Sequence, residues 1–200
     1  EIGLLDISKE EVINELIPIV ESYLNESLEV VSIKDIMHHL GYTSVVLKHQ
    51  PNFSLQYGIQ QYALEPLYCG DSFSTFHQDN DHYLALSDGM GQGKIAASES
   101  KLTLEVLSKL ILNGISLKDT IDSVNALLKI KNHNDMFTTL DLCNINLANA
   151  KMKLIKYGAN PSYHIRNKII EKITTNSLPV GIVSKLKMSS YEMALKSDDI

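Results

Sequence analysis

Between Tyr68 and Gly93 the residues prescribe a β-hairpin that runs through a glycine loop into a helix. Two β-rich segments, Tyr68 to Phe76 and His82 to Ser87, flank Gln78-Asp79-Asn80-Asp81, a turn by composition. A two-residue loop at Asp79-Asn80 sets the register and places Asp71 directly opposite Asp88. Side chains so opposed have Cβ atoms about 4.5–5.5 Å apart, and like charges there repel. A shared proton offsets that repulsion, and so does a divalent cation. An all-oxygen donor set favours Mg²⁺ or Mn²⁺ over zinc or copper. After Asp88 come Gly89-Met90-Gly91-Gln92-Gly93, whose glycines let the backbone approach an ion or an anion closely. The helix that follows turns its unsatisfied N–H groups toward the same place.

Two nucleotide-binding patterns fail here. A phosphate-binding GxxxxGK[ST] loop would need Gly where Asp88 stands and Ser or Thr where Ile95 stands. The alternation of Gly89, Gly91 and Gly93 does not meet GxGxxG either. On the residues alone a second reading stays open. Asp71 and Asp88 can be solvated turn residues, with glycines that only redirect the chain.

The rest of the chain predicts an α+β protein. Ser8-Lys9-Glu10-Glu11 reads as a capping box, and Val12, Ile13, Leu16, Ile17, Val20, Tyr23 and Leu24 follow at helical spacing, split by Pro18. A short second helix is expected over Ile33 to Leu40, capped by Ser32 and stopped by Gly41. Short β-rich runs begin at Thr43, the first at Ser44 to Leu47 and the next at Phe53 to Leu64, so a boundary is placed near residue 42. Amphipathic helices are expected over 94–112 and 116–131, and strands over 138–147, 151–157, 163–166, 169–173 and 188–195. Strands, then two helices, then more strands argue antiparallel sheets flanked by helices.

Composition excludes several classes of function. The 200 residues are 44% hydrophobic and 21% charged, ordinary for a globular chain. The net charge of −6 and a single arginine, Arg166, argue against a nucleic-acid partner. No apolar run approaches the roughly 18–20 residues of a membrane helix, and no export leader opens the chain. Cys69 and Cys143 lack the clustered partners of a zinc site and read as free thiols of a reducing, cytoplasmic compartment. The first residue is Glu1 rather than Met, so a piece of a larger protein is expected.

At Gly70-Asp71-Ser72-Phe73 and Ser87-Asp88-Gly89-Met90-Gly91-Gln92-Gly93 the sequence resembles the PPM (PP2C-like) metal-dependent protein phosphatases. Within them it is most similar to the phosphatase domains of the bacterial stage II sporulation protein E family. Thr138-Thr139-Leu140-Asp141-Leu142, Gly158-Ala159-Asn160-Pro161-Ser162 and Leu178-Pro179-Val180-Gly181-Ile182 match in order, so the likeness spans about 43–200. The resemblance implies a sandwich of two antiparallel sheets flanked by helices and two divalent ions, Mn²⁺ or Mg²⁺. It implies hydrolysis of phosphoserine or phosphothreonine on a bacterial regulatory protein, an anti-anti-sigma factor, by metal-activated water. Asp71 and Asp88 take the catalytic, metal-holding roles in that reading, and Gly89 offers its backbone carbonyl. The helices over 94–112 and 116–131 are implied as regulatory switch elements.

The sequence departs from that pattern in three places. The arginine many members carry before the first acidic motif is replaced by Glu65-Pro66-Leu67-Tyr68, so contact to substrate phosphate falls to the metals, the backbone or Lys94 near the helix start. The later acidic metal motifs are absent, and the chain stops at Ser197-Asp198-Asp199-Ile200, so the C-terminal part of the fold is expected to be missing. Residues 1–42 carry no motif; by resemblance they are the helical end of a regulatory region in a membrane-anchored parent. A homodimer is compatible with the fragment. His38 and His39 are neighbours that do not share a helix face, and Asp141, mid-strand in an alternating run, defaults to a structural role although it can approach the site. The rival from another class is a non-catalytic module that keeps the fold and docks a phosphoprotein.

Overall fold

In the computed structural model the described residues are 2–5, 7–25, 27–37, 42–63, 67–91, 93–131 and 137–200. Contacts divide the chain into two units, Glu1–Asn52 and Phe53–Ile200.

The first unit contains β1 (Ile2–Leu5), α1 (Lys9–Glu11), a π-helical segment (Val12–Leu16), α2 (Ile17–Leu24), β2 (Leu28–Met37) and β3 (Tyr42–His49). The capping box forms: Ser8 Oγ accepts from the Glu11 N–H at 3.2 Å, and the Glu11 carboxylate accepts from the Ser8 N–H at 2.8 Å. Pro18 sits in the first turn of α2, directly after the π-helical segment, whose wider turn precedes a residue that lacks an N–H. Val12 and Ile17 bury against Val45 of a three-stranded sheet ordered β1-β3-β2.

Two expectations about this unit are corrected. The segment from Ile33 is not a helix. β2 runs through it, with Ile33 opposite Val45 and Lys34 opposite Ser44. Its β-branched run packs against a neighbouring strand, and that tertiary partner outweighs a weak helical period. His38, His39 and Gly41 lie outside the described residues. The texture change near residue 42 marks a strand that pairs with both β1 and β2, so residues 43–52 belong with the first unit.

The second unit contains β4 (Asp71–Gln78), β5 (Asp81–Asp88), α3 (Gly93–Leu112), α4 (Leu117–Lys131), β6 (Leu140–Asn146), β7 (Lys151–Tyr157), β8 (Ser162–Arg166), β9 (Ile169–Ile173) and β10 (Ser190–Ala194). Five of its strands form an antiparallel sheet ordered β10-β7-β6-β5-β4, and β8 and β9 pair as a separate hairpin. Residues 53–63, which include most of the expected strand at Phe53 to Leu64, take no regular structure. Their polar groups are satisfied elsewhere: the Phe53 N–H donates to Leu147 O at 3.1 Å, and Gln61 Nε2 donates to Asp71 O at 2.8 Å.

Strand alternation gives the five-stranded sheet two distinct faces. Tyr83, Ala85, Leu140, Leu142, Ile155 and Tyr157 point into a core closed by Leu104, Leu107 and Ile111 of α3 and Ile121, Val124 and Leu128 of α4. Burying each such large side chain contributes roughly 1.5–3 kcal/mol, so register in this sheet is firmly set. The opposite face therefore receives Asp71, Phe73, Leu86, Asp88, Asp141 and Lys156.

Candidate metal and phosphate site

The hairpin of β4 and β5 closes through Asp79, whose φ of 52° is left-handed. Phe76 and Tyr83 stack across it at 4.8 Å. The resulting register sets Asp71 opposite Asp88, with Ser72 opposite Ser87 and Gln78 opposite Asp81. Asp71 opens β4 and Asp88 closes β5, and both residues are exposed. Burial, reinforced by the Asp71 carboxylate, holds the Asp88 carboxyl above the usual carboxylate range. Two acids pushed together in this way are a site short of positive charge.

The backbone around Asp88 is rigidly held. Its N–H donates to Thr139 Oγ1 at 2.8 Å, and its carbonyl accepts from the Thr139 N–H at 2.9 Å and from Thr138 Oγ1 at 2.7 Å. The Gly89 N–H donates to Gly70 O at 3.1 Å, and the Met90 N–H donates to Phe137 O at 3.1 Å. Gly89 is buried, and a Cβ there would lie 2.0 Å from the carbonyl oxygen of Ala96 in α3. The glycine is required because the helix backbone presses directly on the loop. Close approach of an ion already favours glycine at this position, and the contact with α3 requires it independently.

A cleft of about 360 Å³ opens over this face, lined by Asp71, Asp88, Phe73, Leu86, Asp141 and Asn160 among others. Lys94 stands exposed in the first turn of α3 and is not among the cleft-lining residues. Asp71, Asp88 and Gly89 are brought together, and Lys94 is set apart from the cleft wall. Residues 65 and 66 of the stretch that replaces the arginine lie outside the described residues. Among the described residues, no three His, Cys, Asp or Glu side chains gather into one metal-holding group. The donors at Asp71, Asp88 and the Gly89 carbonyl are all oxygen, which fits a hard cation that retains several waters.

Sequence reasoning missed Lys156. Its side chain is fully buried and pairs with Asp141, whose side chain is 16% exposed. Lys156 Nζ also donates to Ser162 Oγ at 2.8 Å. Burial pushes the Asp141 carboxyl up against the opposing pull of Lys156. The available signal was a lysine at an inward position of a strand that otherwise carries Leu154, Ile155 and Tyr157. Asp199, expected as part of a turn before a further strand, is clamped by Arg166, whose Nε donates to its carboxylate at 2.9 Å, and lies 3.2 Å from His164.

A family model described as stage II sporulation protein E (SpoIIE) matches residues 78–200. The chain belongs to the stage II sporulation protein E family. It is 30% identical over 185 residues to stage II sporulation protein E of Priestia megaterium, across 92% of this chain and 32% of that protein. The chain thus spans about a third of that curated relative. A solved structure of the PP2C phosphatase domain and a fragment of the regulatory domain of SpoIIE from Bacillus subtilis superposes with a TM-score of 0.75 at 28% identity. That match covers 99% of this chain and 58% of the solved one. RsbX, solved in complex with magnesium, shares the fold at a TM-score of 0.58 and 18% identity, over 70% of this chain and 68% of its own. The fold is that of the PP2C phosphatase domain, with antiparallel sheets and flanking helices.

Proposed function

We propose that this chain carries the first part of a metal-dependent serine/threonine phosphatase site that acts on a phosphorylated bacterial regulatory protein. The observation that supports it is the pairing of Asp71 with Asp88 at the mouth of a cleft, beside the loop at Gly89. Family membership and the PP2C-domain neighbour support the same reading. Divalent-metal dependence follows from the oxygen donor set and from the magnesium-bound neighbour of the same fold. The number of ions is proposed as two, Mn²⁺ or Mg²⁺. The substrate is proposed as an anti-anti-sigma factor in a sporulation programme. In this reading the domain lies in the cytoplasm, within a parent chain anchored elsewhere. Among the described residues no helix is long and apolar enough to cross a membrane.

The residues divide the work as follows. Asp71 and Asp88 would hold the cation, with the Gly89 carbonyl beside them. Thr138 and Thr139 fix the Asp88 backbone, so its carboxylate is aimed before any ligand arrives. A bound divalent cation supplies an activated water and positive charge for the phosphoryl oxygens. Asn160 lines the cleft, and Lys94 is an outlying cation in the first turn of α3. The first unit is read as the end of a regulatory region, supported by the match of nearly the whole chain to a structure holding both parts.

The test is Mn²⁺-dependent release of phosphate from a phosphoserine protein by the full-length protein that contains this chain, with Asp88→Asn as control. Turnover that vanishes with chelator and with the substitution supports the reading. Binding of the phosphoprotein without turnover would assign a docking module instead.

A further inference from the structure

We propose that Asp141 is a positioning residue of the Asp71–Asp88 site: its free carboxylate oxygen accepts a hydrogen bond from hydration water of a divalent cation held by those aspartates. Lys156 and Ser162 lock it for that role. The inference rests on the metal reading above.

Three observations carry it. The first is placement. Asp141 pairs with Leu86, two residues from Asp88 on β5, so it lies on the same sheet face, one diagonal step from Asp88. Diagonal neighbours on a sheet are about 7–8 Å apart, too far for a shared ligand shell but right for a partner one water away. All three aspartates line the same cleft.

The second is an unbalanced hydrogen-bond account. Oδ2 of Asp141 receives both Lys156 Nζ and, at 3.4 Å, Ser162 Oγ. Oδ1 is buried and has no partner. A buried acceptor left unsatisfied costs about 1–3 kcal/mol, so native proteins seldom keep one without use. A carboxylate serving only the ion pair could be replaced by an apolar pair at little loss.

The third is Lys156 itself. A fully buried lysine is rare without a dedicated counter-charge. Here it pairs with the residue directly opposite on β6, and Ser162 at the start of β8 closes the third side. Two neighbours therefore fix the Asp141 rotamer with one oxygen spare. Mg²⁺ and Mn²⁺ keep several waters when only two carboxylates bind them, and those waters are donors. Outer partners of this kind typically alter metal affinity 10–100-fold.

The experiment is calorimetric titration of the full chain with Mn²⁺ alone, beside thermal melts without metal. The variants are Asp141→Asn, the neutral pair Asp141→Asn with Lys156→Met, and Asp88→Asn as reference. We expect Asp88→Asn to lose Mn²⁺ binding and both Asp141 variants to weaken it at least tenfold. The paired variant should do so with a metal-free melting temperature near wild type, which a purely structural role for Asp141 would not produce. Water-proton relaxation of the Mn²⁺ complex adds a second readout, since loss of the acceptor should speed exchange of bound water. If Asp88→Asn abolishes binding while the paired variant folds and binds Mn²⁺ within twofold of wild type, the role of Asp141 is wrong and the metal reading stands. If wild type binds no Mn²⁺, or Asp88→Asn binds it equally, the metal reading fails and takes this inference with it.

Discussion

Replacing Asp88 by Asn removes one of two facing carboxylates, and its consequences for stability and metal binding run in opposite directions. Without metal, Asp71 and Asp88 repel across the hairpin. A like-charge pair directly opposed in a sheet costs roughly 0.2–1 kcal/mol, and exposure of both groups favours the lower half of that range. A domain of this size changes melting temperature by about 2–4 °C per kcal/mol, so metal-free Asp88→Asn should melt about 0.4–2.4 °C above wild type at pH 7. The pH dependence has a definite sign. The Asp88 carboxyl is raised in the folded state. The unfolded chain therefore releases this proton first, and stability falls as pH rises from the ordinary carboxylate range through the folded value. Asp88→Asn should remove that decline, so the two proteins converge near pH 3 and differ at pH 7. In about 1 M salt the gap should shrink, because screening then acts over roughly 3 Å. With Mn²⁺ at about 100 times its dissociation constant, wild type should gain about 2.7 kcal/mol, and Asp88→Asn should gain almost nothing. Scanning calorimetry at two pH values, with and without Mn²⁺, measures all of this. Equal Mn²⁺-induced rises in the two proteins would refute the assignment of Asp88. A variant less stable than wild type at pH 7 and low salt would refute the repulsion.

Gly89→Ala should lower the melting temperature by about 2–12 °C, from an overpacking cost of about 1–3 kcal/mol, because its Cβ would meet the Ala96 carbonyl oxygen at 2.0 Å. It should also depress Mn²⁺ affinity, since the loop that carries Asp88 can yield only by moving away from α3. Cys69→Ser and Cys143→Ser should leave turnover within a few-fold of wild type; burial pushes the Cys143 thiol up to about 12, far from a reactive thiolate. A hundredfold loss with folding intact would indicate cysteine chemistry. The Arg166 guanidinium holds the Asp199 carboxyl below its usual range, so its contribution is present above the ordinary carboxylate value and lost as pH falls through the folded one. Asp199→Asn should cost about 1–3 kcal/mol at pH 7 in urea titrations and much less near pH 2.

What the sequence made legible was what local rules determine. A two-residue loop fixes the register of a hairpin by counting, so the facing of Asp71 and Asp88 needed no tertiary information. The bounds of β7 and β9 coincide with the apolar runs that foretold them, because each is stopped by turn residues on both sides. Where tertiary partners decide, local patterns misled. Ile33 and its neighbours have a short helical period, yet β3 offers them a strand to pair with, and β2 forms instead. The run from Phe53 alternates like a strand but finds no ladder.

The site shows the same division more sharply. Asp71, Asp88 and Gly89 are contiguous with diagnostic turns, whereas Asp141 and Lys156 become a pair only through the register of β6 on β7. A sequence reading sees an aspartate in one alternating strand and a lysine in another, each harmless alone. The sheet places them opposite each other, with Ser162 against the lysine, and burial makes their charges matter. The Gly89 contact with Ala96 belongs to the same class, because a helix that begins four residues downstream folds back onto its own leading loop. That contact ties the angle of α3 to the position of the Asp88 carboxylate. A tilt of α3 that keeps this contact would carry the loop with it, and Mn²⁺ affinity is expected to respond. Measuring Mn²⁺ affinity in variants that loosen the first turn of α3, such as Lys94→Gly, tests this coupling, with weaker binding expected and unchanged affinity counting against it.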